Sequence, residues 1–151
     1  MQTTAEAQQE LLESVAEATE QIGIALTSLA AAYEQLDESH ADQLEEELFR
    51  PVQLAYGRAR RTHAEFATRH GLMSREFQPP PPGLASLGTK GFIDRALVAV
   101  GQADNALATL QDSLLPVDVG DPELRAALAD LRTLVGGISQ RARELVRTIG
   151  R

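Results

Sequence analysis

The chain reads as an all-α protein, a single four-helix bundle over residues 1–151, and three observations lead there. Apolar residues recur at steps of three and four along most of its length, the period of one helical face. Aromatic residues make up only 4% and β-branched runs are missing, so Leu, Ala, Val and Ile must build the core, which disfavours a sheet. The periodic stretches number four, are of similar length, and each carries one apolar stripe; a bundle buries all four stripes at once.

The first helix is expected over about 4–36. Thr3 and Glu6 make a capping-box pair at its start. Its apolar line runs Leu11, Val15, Ala18, Ile22, Leu26, Leu29, Tyr33, Leu36. A tight turn follows at Leu36–His40, where Asp37 and Ser39 are good N-cap residues. The second helix covers about 39–70, with Leu44, Leu48, Val52, Ala59 and Phe66 inward. Pro51 inside it removes a backbone hydrogen bond and crowds the preceding turn, which predicts a kink near Leu48–Pro51. Gly71 suits the left-handed residue that ends a helix.

Residues 71–88 contain Pro79–Pro82 and form a Pro-rich connection that is not regular helix. The third helix, about 89–115, places Ile93, Ala96, Val100, Ala103, Leu107, Leu110 and Leu114 on one line. The fourth, about 122–149, opens on Asp121-Pro122, an N-cap followed by proline at the first helical position, and Gly150 closes it. Its stripe is Leu124, Leu128, Leu131, Val135, Ile138, Ala142, Leu145, Ile149. Short turns make helices one/two and three/four antiparallel hairpins. Up-down-up-down is then the simplest order, with the proline segment capping one end and Phe77, Leu84, Leu87 and Phe92 sealing the core there. That order also brings Asp118, Asp121 and Glu123 to the end that holds Glu34–Glu47.

Composition narrows function mainly by exclusion. The net charge of −8 disfavours nucleic acid and anionic membranes as partners. Cysteine is absent, which removes disulfides, thiolate metal sites and thiol nucleophiles. No run reaches the ~18 apolar residues of a membrane span, and residues 1–12 do not read as a signal peptide, so the cytoplasm is the expected compartment. A di-iron or di-manganese site of the bundle type needs two Glu-x-x-His motifs, and the chain has none. Phosphate loops, nucleophile elbows and His-Glu-x-x-His are missing as well. The expectation is therefore no catalytic set, no metal and no cofactor.

Two stretches remain as candidates. Phe49, Tyr56, His63 and His70 recur every seven residues and share one line of the second helix. Tyr56 and His63 are the candidate ligand-binding pair, able to orient an apolar molecule or, through the imidazole, a haem-like one between helices. His63 and His70 lie ~10.5 Å apart along the axis, too far to share one ion. The other candidate is charge. Residues 1–49 hold 12 acids and no Lys or Arg, whereas the remaining chain holds 10 acids and all 14 bases. Glu45, Glu46 and Glu47 centre the acidic end and are the candidate contact for a protein partner. The leading expectation is a non-catalytic adaptor, scaffold or self-associating subunit; the alternative is the ligand-binding bundle.

Overall fold

A computed structural model of the chain describes the backbone of residues 2–149 and the side chains of residues 2–147. Among the described residues every regular element is helical: α1 (Thr4–Glu34), α2 (Glu38–Leu44), a π-helical segment (Glu45–Phe49), α3 (Arg50–His70), a 3-10 turn (Ala85–Leu87), α4 (Gly88–Asp112), α5 (Leu115–Asp118) and α6 (Pro122–Ile149). None of these helices is long and apolar enough to cross a membrane.

The helix ends have local causes. Glu6 N–H donates to Thr3 Oγ1 at 3.1 Å, the N-cap bond, and Thr3 Oγ1 donates to the Glu6 carboxylate at 3.0 Å, a side-chain bond in place of the return bond of a full capping box. Asp37 caps α2 by accepting from His40 N–H at 2.8 Å, so that helix starts at Glu38. Gly71 takes φ +64°, and its own N–H and that of Leu72 return to Thr68 and Ala67, the paired bonds of a left-handed helix stop. Asp121 caps α6 through Leu124 N–H at 2.7 Å. Gly150 and the Ile149 side chain lie outside the described residues.

Pro51 acts through a widened turn. Without an N–H of its own, proline cannot bond back to residue 47, and its ring crowds that carbonyl. The five residues before Arg50 adopt π geometry instead, and Arg50 N–H reaches Glu45 O, five residues back.

The third helix stops short of the expected residue 115. Ser113 N–H bonds to Thr109 and Leu110 carbonyls, its Oγ donates to Leu110 O at 2.7 Å, and Pro116 follows. Leu114, expected on the inner stripe, is consequently 72% exposed. The rest of that stripe, the described α6 stripe, and Leu44, Leu48, Val52, Ala59 and Phe66 are buried as expected. On α1 the buried line drifts to Ala25 and Ala32, leaving Leu26 and Tyr33 toward the rim. The helices share one apolar core. Where Leu29, Val52, Val100 and Ile138 converge, the space left is about 10 Å³, at the lower limit for one water.

Chain order differs from the up-down-up-down expectation. α1 packs against α3 and α4, and α6 packs against the same two. Gln8 Nε2, near the start of α1, donates to Val119 O at 3.2 Å and lies 3.2 Å from His70 Nδ1. Gln35, just beyond the end of α1, donates to Ala85 O at 3.2 Å. The start of α1 therefore meets the end of α3 and the approach to α6, while its end meets the approach to α4. α3 and α4 run the same way, opposite to α1 and α6.

Residues 72–84 form a strap that returns along the outside of α1. Arg75 pairs with Glu20, and Pro79 and Pro80 lie against Gly23. Thirteen extended residues reach ~40 Å, enough to pass the ~32 Å of α3. Prolines suit this path because they bring no N–H that needs a partner.

The crossover moves groups from where the hairpin order puts them. Asp118, Asp121 and Glu123 sit at the end opposite Glu34–Glu47. Leu84 and Leu87 are 76% and 45% exposed and do not seal the core, whereas Phe77 and Phe92 are buried.

Candidate functional site

Tyr56 and His63 are both buried, at 5% and 4% exposure. Their surroundings differ. Tyr56 faces Gly23 of α1: a Cβ there would stand 3.2 Å from Tyr56 Cε1 and 3.7 Å from Pro79 Cα. Gly23 thus lets the tyrosine ring and the strap close on α1 together. Between them lies a cleft of about 390 Å³, walled by Glu20, Gly23 and Ile24 of α1, Tyr56 of α3, and Arg75–Gln78 and Pro80 of the strap. That volume falls within the range of small-molecule sites. The Arg75 guanidinium pairs with Glu20 and sits 4.6 Å from the Phe77 ring centre. Burial pushes the Tyr56 phenol pKa up, with Arg60 opposing at 5.4 Å from the ring.

His63 meets Phe77 edge-on at 5.1 Å between ring centres. Its Nδ1 is sealed from solvent with no hydrogen-bond partner among the described residues. Burial pushes its pKa down and holds the imidazole neutral. His63 is not a wall of the cleft. The structure therefore does not gather the two candidate ligand residues around one space: Tyr56 borders the cleft, and His63 lies against the strap's aromatic anchor.

Glu45, Glu46 and Glu47 fall in the π segment. Glu45 borders a second hollow of about 260 Å³, with Ala30, Tyr33, Glu34 and Phe49. Tyr33 is 37% exposed. Among the described residues, Glu34, Glu38, Asp42, Glu45, Glu46 and Glu47 have no ion-pair partner. The hollow is thus part aromatic and part uncompensated carboxylate.

A third polar cluster joins three helices at the other end. Asp121 accepts from Arg69 Nε at 2.8 Å, Arg69 Nη2 at 3.0 Å, His70 Nε2 at 2.7 Å and Leu124 N–H. With the His70 proton on Nε2, its Nδ1 accepts from Gln8, the tautomer this network assigns. Burial alone would raise the Asp121 pKa, but the Arg69, Leu124 and His70 donors hold it well below the usual carboxylate range. Sequence reasoning placed Asp121 as a cap and missed its cross-helix bonds. The signal for Gly23 was one glycine inside an otherwise regular helix.

Gly57, Gly101 and Gly136 are separate from these sites. A Cβ added at any of them meets nothing within 4 Å. Changing all three to alanine is expected to stabilise the chain by about 0.5–1 kcal/mol per site, checked by urea denaturation.

The chain matches no family model, no curated protein and no solved structure.

Proposed function

We propose that the chain is a four-helix bundle that works without catalysis, as an adaptor, scaffold or self-associating subunit, and that its acidic end is the contact surface. The observation that carries this reading is the hollow between Tyr33, Glu34, Glu45 and Phe49. An aromatic floor takes an apolar or guanidinium anchor, and unpaired carboxylates around it steer a basic segment inward. The π segment supplies one wall, and such wide turns recur at functional positions.

The E45Q/E46Q/E47Q variant tests the proposal. These side chains make no ion pair among the described residues, so stability should stay within about 0.5 kcal/mol. Affinity capture and sedimentation are expected to show loss of the basic partner or of self-association, more markedly at low salt. Equal recovery by both proteins excludes the acidic end.

A second reading, a ligand-binding role for Tyr56, is favoured by the cleft that Tyr56 borders.

A further inference from the structure

We propose that the cleft beneath the strap binds a small organic cation, an ammonium group carried on an aromatic body. This rests on the second reading above and supplies its ligand class.

The Tyr56 hydroxyl makes the first point. It has no hydrogen-bond partner among the described residues, although the side chain is 5% exposed. Only Ser28 Oγ and His63 Nδ1 are fully sealed without a partner among those residues. The Tyr56 hydroxyl therefore keeps contact with solvent, and Tyr56 is a wall of the cleft. A hydroxyl without a partner in its own fold, on a residue that walls a cleft, is an attachment point for a ligand's polar head.

Charge makes the second point. The ionisable lining groups other than Tyr56 are Glu20, Glu76 and Arg75, a net single negative charge, and α1 carries no base to offset it. Arg60 approaches the Tyr56 ring but is not a wall of the cleft. A carboxylate ligand meets two like charges there, and an ammonium meets two opposite ones.

The strap itself marks where the positive group goes. Arg75 lies over the Phe77 face and pairs with Glu20, a carboxylate and a ring face acting together on one cation. Both side chains of that pair are about half exposed, 53% and 52%, so the arginine has room to swing out into solvent and leave the Phe77 face to a ligand. The incoming ammonium takes its place, while the aromatic body lies among Ile24, Tyr56 and Pro80.

Titrating the intact chain, followed by amide NMR shifts, tests this with three probes of one shape: phenethylammonium, 2-phenylethanol and 3-phenylpropionate. Phenethylammonium is expected to shift the amides of Glu20–Ile24 and Arg75–Gln78, with a dissociation constant on the order of millimolar. The alcohol should bind about fivefold more weakly and the carboxylate more weakly still. Glu20→Gln should remove most of the preference for the cation, and Arg75→Gln should strengthen cation binding by removing a competitor. Tyr56→Phe should weaken every probe by withdrawing the hydroxyl from its polar head, yet leave the melting temperature unchanged, because the hydroxyl has no partner among the described residues. If the alcohol or carboxylate shifts the same amides as strongly, the cation assignment fails and the cleft remains a ligand site. If no probe shifts those amides, both fail.

Discussion

Replacing Asp121 by alanine is expected to destabilise the folded chain by about 2–4 kcal/mol, measured by urea denaturation at neutral pH. The change removes an N-cap, worth about 1 kcal/mol, and the acceptor shared by Arg69 and His70. It frees His70 from the start of α6, leaves Arg69 only its pair with Glu123 at 3.2 Å, and unsettles Gln8, whose amide depends on the His70 tautomer. Acid exposes the same cluster. The folded pKa of Asp121 lies below its unfolded value, so its contribution is complete above the ordinary carboxylate pKa of about 3.9. It is lost progressively as pH falls below that value toward the depressed one. Asp121→Asn should lose this steepening of acid unfolding. An unchanged profile would mean that the carboxylate contributes no more folded than unfolded.

Phe77→Ala is the second large change, expected to cost about 2–4 kcal/mol. That is below the value for a fully internal phenylalanine because the strap can relax. Phe77 is the buried anchor of the strap and the cover over His63. Trypsin should then cut faster after Arg75 if the strap lifts. The second readout is protonation. Burial depresses the folded pKa of His63, so well above about pH 6.5 the neutral form is present in both states and the His63 contribution to stability is flat. As pH falls below 6.5 the unfolded chain gains its proton first, and stability declines until the folded pKa is reached. Phe77→Ala hydrates the imidazole and should shrink this decline. His63→Leu should abolish it at little cost, because it also removes the unpaired Nδ1. A decline that persists in both variants would show that another group titrates.

The helices were legible because an apolar stripe, a cap and a stop each act within a few residues. Thr3, Asp121 and Gly71 did locally what their chemistry predicts. Chain direction was not legible, since a stripe packs equally well whichever way the helix runs. Two single residues accompany the crossover: Gly23 admits the prolines, and Phe77 finds a buried partner in His63. Neither adds to a periodic signal.

The candidate site follows the same division. That Tyr56 and His63 share one line of the helix could be read from seven-residue spacing, but the cleft could not, because more than half of its lining residues come from the strap. Leu114 shows the opposite failure. Its place on the heptad was correct, and Ser113 with Pro116 ended the helix before that place mattered.

The π segment before Pro51 sets the phase between two lengths of helix. An α-helix advances ~100° per residue, and a π turn spreads one extra residue over nearly the same rotation, so a residue removed from Glu45–Glu47 would be absorbed by closing that turn, with little rotation of what lies upstream relative to α3. Ala41 and Leu44, both buried, would keep facing the core, whereas a residue removed from the regular helix between Leu44 and Glu38 would re-aim Asp37 by that full angle. The surplus residue works as local slack: it lets the helix tolerate a proline while the apolar faces on either side address the same interior.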